Sequence, residues 1–296
     1  MRCSGDLSLI IAGRSVMESL LIRTTLAQLS MAELAAAYNA VYTDYVVPFN
    51  VDTAWAEQMV ARYQVELEHS PLWLDDDGSV IGLAALAVRG SIGWIGGFGI
   101  AKHRRGEGLS HALSTAMIDH ARRRSLNLLT LEVMAHNPAA IRTYARAGFS
   151  TQRDLSILVR EDRSYTPVQA PDVVDRVADA ALIAARGDLH TSPAAWQRGA
   201  ETLQAAPDLR ALVVGSPAKP RALAFYVHRR PGIGLLDLAA ADAAAGATLL
   251  DALIHLAPHE PLVVINEPAD SPLLTPLARR GWRETLCQHE MTLAMS

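Results

Sequence analysis

The spacing of apolar and polar residues along the chain predicts alternating strands and helices. From Leu20 to Val159 the pattern predicts a strand, two helices, three strands, a helix, a strand, a helix and a final pair of strands. Ser30 and Glu33 have the spacing of a capping box at the start of the first helix, and Asp77-Gly78 is typical of a hairpin turn. This order is typical of an α/β (α+β layered) fold, in which a mixed central sheet is flanked by helices.

The C-terminal half repeats the same kind of order. It is predicted to contain helices over Asp172–Arg186 and Ser192–Gln204, followed by three strands, a helix, a strand, a shorter helix and a terminal strand. Both halves end alike, since Ala145–Phe149 matches Ala278–Trp282 in its order of alanine, arginine, glycine and aromatic residues. We interpret the match as an internal duplication, although a helix, a glycine and an aromatic residue before a strand are common in α/β proteins.

A polar, strand-breaking stretch separates the two halves. We therefore predict a leader of residues 1–17 that is disordered, a first domain of residues 18–160, a linker of residues 161–167 and a second domain of residues 168–296. A translation start at Met17 instead of Met1 would also fit the composition of the leader.

Composition limits the classes of function. Half of the 296 residues are hydrophobic and 20% are charged, which is a globular balance, and the formal net charge of −4 argues against binding to nucleic acid through bulk positive charge. Cys3 and Cys287 lie at opposite ends of the chain, which excludes a disulfide framework. The apolar stretch Val80–Ile100 is interrupted by Arg89 and several glycines, so it predicts buried strands instead of a membrane helix. We expect a cytoplasmic monomer or homodimer without a membrane partner.

A basic, glycine-bearing loop leads into the helix that follows the fourth strand. Arg105, Gly106 and Gly108 lie in this loop, where glycines let the backbone approach a ligand. The N-terminus of a helix directs unpaired N–H groups outward and favours phosphate or pyrophosphate. Taken alone, the segment also fits a tight turn with a solvated arginine. It matches neither the Walker A spacing nor the dinucleotide-binding glycine pattern.

A second motif makes the first more specific. The sequence LEVxxxNxxAxxxYxxxGF begins at Leu131 and ends at Phe149, downstream of Arg105-x-x-Gly108-x-Ser110. Together the two motifs resemble the GNAT acetyltransferase family over about residues 20–160. Ser110 departs from the glycine or alanine that the family has at this position, but it is still small enough for close approach of the backbone.

The resemblance implies acetyl-CoA as cosubstrate and no metal. It implies that backbone N–H groups of Arg105–Ser110 hold the pyrophosphate, while the strand Phe98–Ile100 pairs with the pantetheine arm and polarises the thioester carbonyl. Gly93–Gly99 is interpreted as room for that arm, although tight strand packing would need the same residues. The cofactor-binding residues so implied are Phe98, Gly99, Ile100, Arg105, Gly106, Glu107, Gly108, Leu109, Ser110, Asn137 and Tyr144. Asn137 also fits a plain helix N-cap.

Two residues are candidates for acid and base catalysis. Tyr144 lies where the family places a general acid, which would protonate the departing thiolate; the alternative is a tyrosine packed on a helix face. Glu132 points away from Leu131 and Val133 in a strand, and it resembles the general base of ribosomal-protein alanine acetyltransferases. The alternative for Glu132 is a buried structural carboxylate.

The acceptor is expected to be a primary amine on a small molecule or a peptide. By position alone, Tyr42, Asp44 and Tyr45 in the loop between the first two helices would border it. The predicted activity is acetyl transfer by direct attack in a ternary complex, and the alternative is a non-catalytic acetyl-CoA or acyl-CoA sensor.

The second repeat is predicted to be degenerate. Counted back from the shared glycine, Leu277 replaces Tyr144 and Asp270 replaces Asn137. The loop before its helix also lacks the arginine and the two glycines. We therefore expect the C-terminal half not to bind acetyl-CoA productively.

Overall fold

The computed structural model describes residues 21–44, 49–161, 164–169, 172–229 and 232–295. The expected leader of residues 1–17 lies outside this part of the chain. In the N-terminal half the elements are β1 (Ile22–Thr25), α1 (Met31–Val41), α2 (Thr53–Tyr63), β2 (Pro71–Leu74), β3 (Val80–Arg89), β4 (Ile92–Ile100), α3 (Leu109–Arg123), β5 (Leu128–Met134), α4 (Pro138–Arg146) and β6 (Ser150–Arg160).

The C-terminal half follows the same plan. Its elements are β7 (Val173–Val177), α5 (Ala180–Ala185), α6 (Ala200–Gln204), β8 (Arg210–Ser216), β9 (Lys219–His228), β10 (Ile233–Ala240), α7 (Ala243–Leu256), β11 (Leu262–Pro268), α8 (Leu274–Arg279) and β12 (Trp282–Ala294).

Most elements predicted from the spacing of apolar residues are confirmed. The capping box at α1 is present, with the Ser30 hydroxyl accepting from the Glu33 backbone and the Glu33 carboxylate accepting from the Ser30 backbone. Helix α2 is capped by Asp52 and ends at Tyr63, because Gln64 has a left-handed backbone conformation (φ 58°). The expected final pair of strands is a single strand, β6.

Two predicted helices of the second half are wrong in extent. The region Asp172–Arg186 begins as strand β7, in which three valines favour an extended backbone, and only its end is helical. The region Ser192–Gln204 is a 3-10 turn at Trp196–Arg198 followed by the short helix α6. Gly199 has an extended backbone between them and interrupts the helical pattern.

The C-terminal strand lies inside the sheet of the N-terminal half. In the described part of the chain one sheet has eight strands in the order β1-β2-β3-β4-β5-β12-β6-β11, and a second sheet has the order β10-β9-β8-β7. Strand β12 pairs with β5 on one side and β6 on the other, and β6 pairs onward with β11. The second half therefore supplies β12 to the strands of the first half, and the first half supplies β6 as the neighbour of β11. The division of the chain at residues 161–167 stays a prediction. The α/β class with a mixed central sheet is confirmed, since β4 and β5 pair in parallel and their other neighbours are antiparallel.

Helices cover both faces of the first-half strands. Leu113 and Met117 of α3 pack with Leu131 of β5 on one face, and Leu34 and Tyr38 of α1 pack on the other. Burial on both faces explains why β3 and β4 are almost continuously apolar. None of the described helices is both long enough and apolar enough to cross a membrane.

The glycines of β4 make room for the protein's own side chains. A Cβ at Gly97 would lie 2.4 Å from the Tyr38 hydroxyl, and a Cβ at Gly99 would lie 2.9 Å from Val41. Gly96 faces the ring of Trp94 in the same way. Our interpretation of this run as space for a ligand is therefore wrong, and close packing of side chains accounts for it.

Because β12 completes the sheet for both halves, we predict that Met291→Ala destabilises both halves together. Met291 is 2% exposed and packs in the core under α3 and α4. Its truncation should lower the free energy of unfolding by about 2–5 kcal/mol, because it leaves a cavity in that core. Urea unfolding should show one transition at a lower midpoint, and amide exchange should accelerate in both β5 and β11.

The matched control is Arg283→Ala, which changes an exposed side chain of the same strand. Its effect should stay below about 0.5 kcal/mol. Loss of protection in β5 with full retention in β11 would contradict the shared role of β12.

Candidate active site

The site begins where two neighbouring parallel strands separate. Within the described residues β4 and β5 pair only over Ile92–Trp94 and Leu128–Thr130, and they diverge beyond this point. A register shift between β3 and β4 leaves Gly96 as the extra residue just where the divergence starts. A cavity of about 490 Å³ opens at this wedge, between the last residues of β4 and the loop and helix that follow β5. Its walls include Val41, Tyr42, Asp44, Phe98, Gly99, Ile100, Arg104, Arg105, Gly106, Gly108, Leu109, Ser110, His136, Asn137, Ala139, Ala140, Thr143 and Tyr144.

Backbone groups of β4 face this wedge. The Phe98 N–H donates to the Tyr42 hydroxyl oxygen at 3.1 Å, and the Ile100 carbonyl accepts from Arg105 Nε at 2.9 Å. Both groups point away from β3, as expected for alternate residues of β4 beyond the point where its pairing with β5 ends. Tyr42, which we predicted as an acceptor-binding residue, thus contacts the strand that was expected to hold the donor.

The loop before α3 combines two glycines with a bracing arginine. Gly106 and Gly108 have φ values of 89° and 81°, which side chains disfavour, and Gly108 is the N-cap of α3. The Arg105 side chain donates to the carbonyls of Ile100 and Val41, so it holds the loop against β4 and α1. The N-terminal N–H groups of α3 then open onto the cavity, where glycine supplies no side-chain cap.

Helix α4 brings the second motif to the same cavity. Asn137 caps the helix by accepting from the Ala140 N–H at 3.1 Å, which confirms the N-cap alternative, and it lines the cavity as well. Tyr144 is 7% exposed and packs edge-on against Phe98 at 5.5 Å and Phe149 at 5.9 Å between ring centres.

The structure brings together all of the predicted cofactor-binding residues except one. Glu107 does not line the cavity, because its carboxylate is paired with Arg104 Nε at 2.9 Å. Arg104 also pairs with Asp75, which fixes the turn at its other end.

Glu132 lies on the sheet face expected from strand alternation. Leu131 and Val133 pack in the core under α3, while the Glu132 carboxylate faces the opposite side. Its Oε2 accepts from Trp94 Nε1 at 2.7 Å and from Gln197 Nε2 at 3.0 Å, and its Oε1 is buried with no hydrogen-bond partner among the described residues. Burial raises the pKa of the Glu132 carboxyl to about 7, although the two hydrogen bonds oppose the shift. Glu132 is not one of the residues that line the cavity.

An ion pair between Arg153 and Glu290 lies beside Glu132. Glu290 of β12 is its direct cross-strand partner, and Arg153 donates to both Glu290 oxygens at 2.7 and 3.1 Å. The Glu290 charge adds to the raised pKa of Glu132, and Arg153 acts against it. Sequence reasoning missed both Glu290 and Gln197, because they come from the other half and no local motif marks them.

The predicted acceptor residues have different surroundings. Asp44 lines the cavity but forms an ion pair with Lys102, which lowers the pKa of the Asp44 carboxyl through a hydrogen bond and the adjacent charge. Tyr45 lies outside the described residues.

The corresponding wedge of the C-terminal half is filled. Strands β10 and β11 belong to different sheets, and the gap between them holds only about 10 Å³ because Arg198 fills it. Arg198 donates to the carbonyls of Leu238 and Asn266 and pairs with Asp237 and Glu267 at 2.7 and 2.6 Å. The wedge that is open in the first half is thus closed by a buried cation and two carboxylates.

Helix α7, which follows this filled wedge, is capped by an aspartate side chain. The Asp242 carboxylate accepts from the Ala245 N–H at 2.8 Å at the start of α7. A carboxylate, which is also paired with Arg221 at 2.7 Å, therefore occupies the position that has only Gly108 in the first half. In the part of the chain that the structure describes, no three His, Cys, Asp or Glu side chains are grouped so that they could hold a metal ion.

Comparison with known proteins agrees with this geometry. Residues 34–149 match the acetyltransferase (GNAT) family. The crystal structure of a GCN5-related N-acetyltransferase from Sphaerobacter thermophilus is similar with a TM-score of 0.69 and 13% identity, covering 93% of this chain and 95% of that chain. A putative acetyltransferase from Pyrococcus horikoshii has a TM-score of 0.66 at 13% identity, with coverage of 96% and 92%. A tandem GNAT protein from the clavulanic acid biosynthesis pathway has a TM-score of 0.65 at 13% identity, with coverage of 93% and 98%. At such identities the likeness shows the fold, which extends over both halves. A comparison with curated protein sequences finds no match.

We predict that Glu132 makes stability depend on pH in a defined direction. Its pKa is about 7 in the folded protein and 4.5 ordinarily, so the folded state binds the proton more tightly. The stabilisation is complete below the ordinary pKa and is lost as the pH rises through about 7. The free energy of unfolding of the wild type relative to Glu132→Gln should therefore fall by roughly 2–3 kcal/mol between about pH 5 and about pH 8.

Urea titrations at several pH values measure this difference. Glu57→Gln, which removes an exposed carboxylate of α2, is the matched control. A constant difference between wild type and Glu132→Gln across the range would show that the carboxyl titrates normally.

Proposed function

We propose that this chain is an N-acetyltransferase that moves an acetyl group from acetyl-CoA to a primary amine, since residues 34–149 match the acetyltransferase (GNAT) family. Both substrates would be bound at once, and the amine would attack directly. The wedge between β4 and β5, which opens onto the N-terminus of α3, is the observation that carries this proposal.

The residues around the wedge fit the proposed donor. A diphosphate needs several N–H donors and a positive field, and the start of α3 with Gly106 and Gly108 offers both. An extended pantetheine arm needs a strand edge without a neighbouring strand. Phe98 and Ile100 offer one within the described part of the chain, since their backbone groups there bond to the Tyr42 and Arg105 side chains. Arg105 would act by holding the loop in place, since its side chain is bonded to Ile100 and Val41.

Acetyl-CoA supplies a thioester whose carbonyl carbon is open to attack by an amine. The Phe98 N–H, which donates to Tyr42 in the structure, is well placed to donate instead to the carbonyl oxygen as negative charge develops on it. Holding both reactants in one cavity removes much of the entropic barrier.

Tyr144 and Glu132 would move the protons. The Tyr144 hydroxyl would donate to the sulfur of the leaving thiolate, which its position on the cavity wall supports. The Glu132 carboxylate would accept the proton of the attacking amine through water, since Glu132 does not itself line the cavity. A carboxyl with a pKa of about 7 suits this role near neutral pH, because it is partly ionised and still basic. No Cys or Ser nucleophile is assigned in this scheme, so a covalent acetyl-enzyme is not part of it.

The C-terminal half would not bind the donor. Arg198 fills its wedge, and Asp242 places a carboxylate at the start of α7, where it would repel a diphosphate. This supports the expectation of one donor site per chain, with the second half shaping the first.

Release of CoA across a panel of primary amines, followed by thiol detection, tests the activity. With the best amine, Tyr144→Phe should lower kcat by about 10²-fold or more while leaving KM for acetyl-CoA nearly unchanged, because the lost proton donor acts only as the thiolate leaves. Phe149→Leu, at a neighbouring ring, controls for packing and should keep most of the turnover. CoA binding without release for any amine would favour a non-catalytic acyl-CoA sensor.

A pair of substitutions at one position tests the diphosphate site. Gly108→Asp adds a carboxylate at the N-cap position of α3, and Gly108→Asn adds nearly the same bulk without charge. Both put a side chain on a backbone with positive φ, but the carboxylate should weaken CoA binding at least tenfold more, since it opposes the ligand's charge.

Calorimetry measures the two dissociation constants and should give one site per chain in the wild type. Equal losses for the aspartate and asparagine variants would place the diphosphate elsewhere. Two equivalent sites would refute the claim that the second repeat is inactive.

A further inference from the structure

Gln197 of the C-terminal half donates a hydrogen bond to the Glu132 carboxylate. Gln197 Nε2 donates to Glu132 Oε2 at 3.0 Å, and Asn266 Nδ2 donates to Gln197 Oε1 at 3.0 Å. In this arrangement Gln197 presents its carbonyl oxygen to Asn266 and its NH₂ group to the Glu132 carboxylate, which can only accept. The Gln197 amide therefore connects Glu132 to β11 of the second half.

The residues on either side of Gln197 hold it in place. Trp196 stacks on Trp94 at 5.9 Å with an interplanar angle of 7°, and its Nε1 donates to the Tyr63 carbonyl at 3.1 Å. Arg89 lies 4.0 Å above the same ring and donates to the Trp196 carbonyl. Trp196 is thus fixed on the first half.

The next residue is fixed on the other half. Arg198 is 2% exposed and makes the four contacts with β10 and β11 described above. Three consecutive residues therefore contact the first half, Glu132 and the second half in turn, which leaves the Gln197 side chain little freedom.

The burial and backbone conformation of Asn266 show that its surroundings constrain it. It is 1% exposed and has a left-handed backbone (φ 58°), where β11 shifts its register against β6. Such a conformation is unfavourable for a residue inside a strand and persists only where surrounding contacts impose it. Asparagine tolerates it better than most residues, and its side chain donates to Gln197.

The hydrogen bond from Gln197 engages one oxygen of the Glu132 carboxylate and leaves the other without a partner in the part of the chain that the structure describes. Oε2 is held by Trp94 and Gln197, whereas Oε1 is buried with no partner among the described residues. The charged and titratable groups that face the carboxylate are Glu290 of β12, Arg153 of β6 and Tyr63 at the end of α2. The second half therefore supplies Glu290 to this set, and Gln197 is the uncharged group of the second half that hydrogen-bonds to the carboxylate.

We propose that Gln197, held by its hydrogen bond to Asn266, is a positioning residue that fixes the Glu132 carboxylate through Oε2 and leaves Oε1 for proton transfer. The C-terminal half is then required to complete the base of the N-terminal half. This inference rests on the proposed function, because it assigns a purpose to the carboxylate that the function uses.

The test compares Gln197→Leu and Gln197→Glu with the control Gln204→Leu, an exposed glutamine in the same region. Leucine removes the donor to Glu132, so the carboxyl should titrate about one pH unit higher. Glutamate keeps an acceptor for Asn266 but faces Glu132 with a like charge, so the shift should be larger, about two units. Gln204→Leu should leave the titration unchanged.

Two readouts are needed. The first is the ¹³C NMR titration of the Glu132 carboxyl in labelled full-length protein, assigned by its loss in Glu132→Gln, which requires no activity. The second is the acidic limb of the pH profile of kcat/KM, which should shift by the same amounts while KM for acetyl-CoA stays nearly constant.

An unchanged NMR titration in both Gln197 variants would overturn the proposal, as would an acidic limb that stays in place while the carboxyl titration moves. If the titration moves in the expected order but no amine is acetylated by the wild type, the contact with Glu132 stands and the proposed acetyl transfer fails.

Discussion

The divergence of β4 from β5 is the constraint on which the site depends. Parallel pairing stops after Trp94 and Thr130, and this leaves peptide groups of β4 facing space instead of a neighbouring strand. Unpaired backbone groups inside a protein need partners. Tyr42 and Arg105 supply them in part, and the cavity exists because they do not fill the gap.

The second half shows what happens when the same opening is filled. There β10 and β11 also part, but Arg198 enters between them and brings two carboxylates with it. Burying a cation requires such partners, because desolvation is severe for an unpaired charge. The pKa of Asp237 is accordingly lowered, since Arg198 and His190 outweigh the effect of its burial. Arg198 in the filled wedge then anchors its neighbours Trp196 and Gln197, which contact Trp94 and Glu132 of the first half.

Strand β12 joins the two halves in one sheet. It lies between β5 and β6, places Glu290 opposite Glu132, and carries the core residue Met291. The duplication read from the two matching helix ends therefore does not produce two independent sheets. The surroundings of Glu132 contain side chains from β4, β6, β12 and the 3-10 turn at Trp196, which are far apart in the sequence.

The sequence alone was sufficient for the local features. Spacing predicted the capping box at Ser30, the N-cap at Asn137 and the side of β5 on which Glu132 lies, because each depends on residues within a few positions of one another. It failed for β7, where local periodicity was ambiguous, and for the glycines of β4, whose neighbours come from α1. Only the tertiary structure decided three further features, because hydrogen bonds between distant segments leave no period in the sequence. They are the place of β12 between β5 and β6, the filling of the second wedge by Arg198, and the contact of Gln197 with Glu132.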